Sequence, residues 1–503
     1  MMFLRFLDRW LNTITIYRLV LYGLSLLAFV TVTLGGVGQL HFSMLAQVGS
    51  LAILLPGCYL INKLLAWLWP AASNSESSLI TALILFFIMT PATDPTHAVG
   101  LAVVALLAMA SKYLLAWRRK HLFNPAAIAA VLAGVTGVAH ASWWVAAPPI
   151  LPAVLLLALL VLRKTRRMQL FLVFMATSLV VIMGMAAYHD RDLGQALWQI
   201  FTSWPLIFMG SIMLSEPATM PPRYREQMVY GALVGVLFAA QLRVGSLAVT
   251  PEVALVVGNI FAYVVSPKYR LILRLKRKVR LSDHVYDLSF AADRPFQFLP
   301  GQYADWTLPH RHLDDRGNRR TFTLASSPTE REIHIGIKTY HPSSSFKRAL
   351  LAMEPGQAIT MGQIAGSFTL PQNVSRKLAF VAGGIGITPF RSMLAYLQDS
   401  GQQRDIILFY FVSAPEEVSY QEVLAAAEAR GVRVVRVLTA SVAPPGWKGR
   451  VGTLTPELLA AEAPDYATRT FYLSGPPAMV DDHWQTLRRL GVRHIVTDHF
   501  SGY

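Results

Sequence analysis

The stretch VAGGIGITPF, Val381–Phe390, decides the reading of this chain. An apolar run feeds three glycines, Gly383, Gly384 and Gly386, and then Thr388 and Pro389 open a helix-like segment. Glycines without side chains let backbone N–H groups approach a pyrophosphate, and a helix N-terminus adds positive potential there. The turn is therefore expected to cradle phosphates. Around it, KLAFVAGG, IILFYFVS, VRVVRVL and RTFYLSGPP are strand-like runs separated by helical or turn-rich segments. That alternation predicts a parallel sheet with crossover helices over 375–503. Upstream, KVRLSDHVYDLSFAA, GQYADWTL, RRTFTLASS, EIHIGIKTY and QAITMGQIAGSFTL are short alternating segments bounded by turn residues. They predict an antiparallel barrel within 269–374.

The rest of the chain has a different composition. Of 503 residues, 54% are hydrophobic and only 15% charged, and the apolar excess lies before about Ser266. At about 17–25 apolar residues per span, with shorter runs where a helix is broken, about ten spans are read. They lie near 14–34, 45–68, 79–92, 97–117, 124–139, 148–162, 169–188, 195–215, 228–242 and 251–266. A membrane domain over 1–268 is thus expected ahead of the two soluble ones. The net charge of +16 comes from short loops and from the junction SPKYRLILRLKRKVRLSD, a placement that fits lipid headgroups and not nucleic acid.

Basic loops alternate along the chain. Arg5 and Arg9, Arg118 to Lys120, Arg163 to Arg167, Arg223 and Arg225, and the junction fall on one side; Arg191 and Arg243 are exceptions. The positive-inside rule then puts both termini in the cytoplasm, with no cleavable leader, in a bacterial inner membrane. The single cysteine, Cys58, excludes a four-cysteine iron–sulfur cluster and an internal disulfide. His41, His97, His121, His140 and His189 lie at span ends or in loops, a poor arrangement for bis-histidine haem. No metal site is expected.

MTPATDPT closes the third span and LSEPATMPP the eighth, and each half later has an asparagine turn, at Asn124 and Asn259. Five spans per half is odd, so the halves would be inverted, an arrangement that builds central sites from broken helices. Thr93, Asp94, Asn124, Glu216, Thr219 and Asn259 are the candidates for a membrane-domain flavin or ion site. SSLITALILFFIMTP, HLFNPAAIAAV, SEPATMPPRYREQMVYGALVGVL and PEVALVVGNIFAYVVSPKYR resemble the membrane subunits shared by the Rnf complex (its D subunit) and the sodium-pumping NADH:quinone reductase (its B subunit). The resemblance implies flavin. The Ser-Gly-Ala-Thr-like motif that carries covalent FMN is absent, which leaves non-covalent FMN or riboflavin.

The C-terminal pair of domains resembles the ferredoxin–NADP reductase superfamily. Its motifs run in order: PGQY at 300–303, RTFTLASS at 320–327, GQIAGSF at 362–368, GGIGITPF, SGPPAMV and the terminal DHFSGY. The resemblance implies FAD and NAD(P)H. It places Arg320 on the FAD pyrophosphate, Phe322 against the flavin, Thr323 at flavin N5, and Gly366 and Ser367 at the phosphates. Gly383, Gly384 and Gly386 would hold the dinucleotide, with Thr388 and Ser474 near the nicotinamide. Phe500 or Tyr503 would cover the flavin face. Ser326, Lys338, Pro389, Gly475 and Pro476 complete the implied cofactor set, and Thr323, Ser474 and Phe500 are the catalytic candidates.

The expected function is a membrane flavoprotein that takes electrons from cytosolic NAD(P)H through FAD to a membrane-domain redox group. From there they reach a quinone or a periplasmic acceptor, with or without partner subunits. The alternatives are a haem-linked ferric or oxygen reductase, a redox-driven Na+ or H+ transporter, and a reductase on an inert anchor. The choice between NADH and NADPH stays open at FVSAPEEVSY.

Overall fold

Where no water is at hand, a helix is the cheap way to satisfy backbone polar groups, and the apolar runs follow that rule. The computed structural model describes residues 11, 14–69, 75–117, 120–165, 167–240, 242–244, 247–266, 271–311, 314, 318–440 and 442–499. The chain divides into two units, Met1–Ser266 and Pro267–Tyr503.

The described helices of the first unit are α1 Ile16–Gly36, α2 Met44–Leu68, α3 Ser75–Ile88, α4 Pro95–Leu114, α5 Pro125–Thr136 and α6 Leu151–Thr165. They continue as α7 Met168–Tyr188, α8 Leu193–Thr202, α9 Leu206–Met213, α10 Tyr224–Ala239 and α11 Pro251–Val265. Among the described residues five helices are long and apolar enough to cross a membrane: α1, α2, α4, α6 with its leading turn, and α7. The expected spans near 79–92, 124–139 and 251–266 are shorter apolar helices, and the one near 195–215 is α8 and α9, bent by 58°. Proline accounts for the shortening. Pro205 stands at the bend, α3 stops before Pro91, and Pro125 and Pro251 open α5 and α11. α7 is apolar all round, with Phe174 buried and Val180 72% exposed, as suits a helix whose outer face meets lipid.

Neighbour relations recur between two five-helix sets, with α8 extra. As α2 packs on α4 and α4 on α5, so α7 packs on α10 and α10 on α11. α1 touches α6, and α5 touches α11. The α7–α10 approach needs a bare backbone at Gly235, where a Cβ would lie 2.1 Å from Thr177 Oγ1 and 2.9 Å from the Phe174 carbonyl. The end of α3 is satisfied without helix continuation: the Ile88 carbonyl accepts Ser142 N at 2.9 Å and Trp143 N at 3.0 Å.

The second unit begins with six antiparallel strands: β1 Leu271–Arg280, β2 Val285–Ala292, β3 Tyr303–Thr307, β4 Arg319–Thr323, β5 Ile333–Lys338 and, after helix α12 Ser345–Ala352, β6 Ala358–Ala365. Their order is β4-β3-β6-β1-β2-β5. No ladder joins β4 to β5 among the described residues, so the expected barrel is an antiparallel sheet in its hydrogen bonding. Leu271, Leu273 and Leu275 alternate inward on β1, against Phe290 and Trp306.

The parallel sheet follows, with β7 Leu378–Gly383, β8 Ile406–Val412, β9 Arg433–Leu438, β10 Arg450–Val451, β11 Thr470–Gly475 and β12 Ile495–His499. Helices α13 Thr388–Asp399, α14 Gln421–Ala429, α15 Pro456–Glu462 and α16 Pro477–Arg489 lie between them. The order β10-β9-β8-β7-β11-β12 puts the first strand, β7, in the middle, so the strand sequence reverses there. β7, β8 and β11 are buried along their length, which is what helices on both faces require.

On α16 His483 is buried with its ring 4.8 Å from that of Phe411, and burial pushes its pKa down to about 4. The unfolded chain binds that proton first, near the ordinary 6.5. The stability from the neutral ring is therefore full above about pH 6.5 and is lost as pH falls through about 4, a swing of about 3 kcal/mol. Thermal melts across that window should show the loss, and His483→Phe should flatten it.

Candidate functional site

The glycine-rich turn lies at the strand-order reversal, where open parallel sheets bind ligands. β7 ends at Gly383, the chain turns through Gly384 with φ +52°, and α13 starts with Pro389 in its first turn. A Cβ on Gly386 would lie 2.3 Å from the Ser474 carbonyl oxygen and 2.7 Å from Gly475 Cα. On Gly384 it would meet nothing within 4 Å. The turn is thus pressed against the end of β11 on one side and open on the other. Thr388 is buried and donates to the Ile385 carbonyl at 3.1 Å.

Across the antiparallel sheet, Tyr303 on β3 faces Thr323 on β4 and Ala365 on β6. One row of three strands therefore carries Thr323 and leads into the Gly366–Ser367 turn, where Gly366 has φ +113°. Gln302 ties this row down, accepting Leu299 N at 2.8 Å and donating to the Gly366 carbonyl at 3.2 Å. Arg320 has its guanidinium 5.4 Å from the Phe346 ring and donates to Asp314 at 2.9 Å. Phe322 packs on the same Phe346 ring at 5.9 Å.

The two sheets meet beside these elements. Ser392 Oγ on α13 donates to the Ser326 carbonyl at 2.6 Å, and Arg391 donates to the Ala325 carbonyl at 3.1 Å and to Glu330 at 2.8 Å. A Cβ on Gly336 of β5 would lie 2.6 Å from Thr388 Cγ2. Tyr420 OH donates to Asp287 at 2.8 Å, and burial, then that carboxylate, lift its phenol well above the usual range. Lys338 donates to Glu417 at 2.6 Å. Burial opposes ionisation of Glu417, but hydrogen bonds from Lys338 and Ser413 outweigh it and lower its pKa.

Residues 380–484 match the family described as oxidoreductase NAD-binding domain. The propane 2-monooxygenase reductase component of Rhodococcus jostii is 28% identical over 43% of this chain and 60% of that protein. The phenol 2-monooxygenase reductase component DmpP of a Pseudomonas species is 29% identical over 44% of this chain and 63% of that protein. The chain thus spans less than two thirds of either relative. A solved ferredoxin NADP+ reductase from Neisseria gonorrhoeae is similar at 21% identity and a TM-score of 0.40, over 46% of this chain and 99% of that one. The C-terminal half is thus similar in sequence to these reductase components, with the oxidoreductase NAD-binding domain matched over residues 380–484.

Among the described residues six buried hydroxyls, of Thr250, Ser282, Ser289, Ser326, Thr470 and Ser474, have no hydrogen-bond partner, and two of them, Ser326 and Ser474, lie in the motifs expected to meet the cofactors. A buried unpaired hydroxyl costs about 1–3 kcal/mol, which a bound group at these two positions could offset. Arg320 and the Gly366–Ser367 turn are the donor set suited to a pyrophosphate. Among the implied residues, Lys338 is engaged with Glu417, and Phe500 and Tyr503 lie outside the described residues. Asp314, Gln302 and Phe346, which hold Arg320 and the phosphate-side turn, had no sequence sign beyond the motif containing Gln302.

In the first unit, four of the six candidates come together. Asn124 caps α5 through Ala126 N and Ala127 N, both at 3.1 Å, and its Nδ2 donates to Glu216 at 2.7 Å. Asn259 Oδ1 accepts Asn124 N at 2.8 Å, and its Nδ2 donates to the Thr219 carbonyl and to Tyr230 OH, each at 3.3 Å. Thr219 Oγ1 donates to Glu216 at 3.2 Å. Thr93 and Asp94 lie apart from them, exposed at the start of α4, where Asp94 accepts His97 N at 2.9 Å. Tyr230 joins the cluster unannounced, because one tyrosine in an apolar helix reads as core. A second buried carboxylate was likewise missed: Glu252, in the first turn of α11, accepts Trp143 Nε1 at 2.8 Å.

Proposed function

We propose that the chain is an NAD(P)H-dependent FAD oxidoreductase of a bacterial inner membrane, with both termini cytoplasmic. It moves electrons from cytosolic NAD(P)H into its helical half and on to a quinone or a periplasmic acceptor. We assign the boundaries 1–268, 269–374 and 375–503 to the membrane, FAD and NAD(P) domains. The observation that carries the reading is the join between the cofactor halves: Ser326 and Gly336 of the antiparallel sheet abut Ser392 and Thr388 beside the glycine-rich turn. FAD, when bound, accepts a hydride from NAD(P)H and yields the electrons to the next carrier. The chain's own work is placement. Arg320 and the Gly366–Ser367 turn hold pyrophosphate, Thr323 presents a hydroxyl to the flavin, Gly384 leaves room for the dinucleotide while Gly386 lets the turn pack on β11, and the Ser474 hydroxyl orients the nicotinamide ring.

The Asn124–Glu216–Asn259 cluster supports a second site in the helical half. Five polar residues linked by side-chain and backbone hydrogen bonds among apolar helices are costly to assemble and suit a bound redox group, FMN or riboflavin held non-covalently, or an ion. The recurring neighbour relations favour a five-plus-five inverted repeat, in keeping with the resemblance to the Rnf and sodium-pumping reductase subunits. Purification in detergent, acid release and cofactor identification test this. FAD together with FMN or riboflavin supports a redox group at the cluster, and FAD alone supports the ion. Haem, or no FAD, contradicts the reading.

A further inference from the structure

We infer that the outward face of β1 is an anionic-lipid docking surface that holds the reductase module against the bilayer. The inference rests on the proposed membrane placement of the first unit. On β1 the leucines point inward, and Ile272, Arg274 and, at a bulge, Lys276 and Arg277 point outward, whereas Lys278 pairs with inward-facing Leu288 and lies on the leucine face; all five are exposed. Arg274 and Lys278 donate only to backbone carbonyls, of Gly356 and Leu351. Among the described residues no carboxylate pairs with Arg274, Lys276, Arg277 or Lys278, whereas Arg280 is neutralised by Asp283 at 2.7 Å. On the outward face three positive charges, Arg274, Lys276 and Arg277, stand together without a counter-charge among the described residues.

Chain length decides what meets them. α11 ends at Val265 and β1 begins at Leu271. The strand therefore begins five residues on from Ser266, and its basic side chains follow the last apolar helix directly in the sequence, the juxtamembrane placement that attracts anionic lipid. Basic side chains tethered that close to a membrane surface are drawn to anionic headgroups within a Debye length. Exposed Ile272, beside Arg274, adds an apolar contact of the kind that settles at a headgroup boundary.

The test uses the full chain in nanodiscs of phosphatidylcholine with or without phosphatidylglycerol, and reads amine labelling of Lys276 by mass spectrometry. Exposed Lys448 serves as the internal reference. In anionic discs at about 0.1 M salt Lys276 should label about fivefold more slowly relative to Lys448, and should recover near 1 M, where the Debye length falls to about 3 Å. The double change Arg274→Glu and Arg277→Glu should abolish the protection while NAD(P)H–ferricyanide activity stays unchanged. Equal labelling in both lipids overturns the proposal, as does the same protection from inorganic phosphate in zwitterionic discs. Carbonate extraction separates the underlying reading: a chain that washes off contradicts the membrane placement itself, and a chain that stays embedded yet labels independently of lipid contradicts only the docking surface.

Discussion

Gly386→Ala is expected to lower kcat/KM for NAD(P)H-driven ferricyanide reduction by about 100-fold while FAD stays bound. The added methyl would lie 2.3 Å from the Ser474 carbonyl and 2.7 Å from Gly475 Cα, and both are backbone atoms of a fully buried strand. Neither can rotate away, so the turn itself must move. A displacement of about 1 Å between hydride donor and acceptor is enough to cost that factor. The antiparallel sheet is untouched, which is why FAD content, read from absorbance, is the control. A variant that keeps kcat/KM within about threefold of the parent would contradict the assignment of this turn as the dinucleotide cradle.

Glu216→Leu is expected to cut electron delivery to a membrane quinone at least about tenfold and leave ferricyanide reduction at the module intact. Glu216 is the common acceptor for Asn124 Nδ2 and Thr219 Oγ1. Leucine orphans both donors, each at about 1–3 kcal/mol, so the cluster must rearrange. Glu216→Gln separates the ionisable carboxyl from its shape, because its amide oxygen still accepts while the ability to ionise is gone. If Gln behaves as the parent, the cluster acts through hydrogen bonding; if Gln behaves as Leu with normal melting, the carboxyl group itself is what serves the site. Unchanged quinone reduction in both variants would remove the cluster from the electron path.

The glycine-rich turn and the strand pattern around it could be read from the sequence because they are local: β7 is six consecutive buried residues and Gly386 has no room for a side chain. Asn124 and Glu216 stood out as polar residues beside prolines in apolar runs. That they are bonded to each other, 92 positions apart, depends on helix packing that no local pattern encodes. Lys338 illustrates the reverse case. Its ion pair with Glu417, 79 positions away in the turn after β8, could not be read from the charge pattern. The MTPATDPT turn with Pro91 marked the end of an apolar run, but the span near 195–215 was read straight through Pro205, where the helices bend by 58°, and nothing local showed which loop would meet the end of α3.

Sealed, oriented vesicles carrying the full chain, with NAD(P)H added on the module side only, put the central claim to its most direct test. Reduction of a quinone in the bilayer, or of an acceptor trapped in the lumen, at a rate that follows NAD(P)H oxidation is the predicted result. Steady oxidation of NAD(P)H with nothing reduced in or across the bilayer would contradict it.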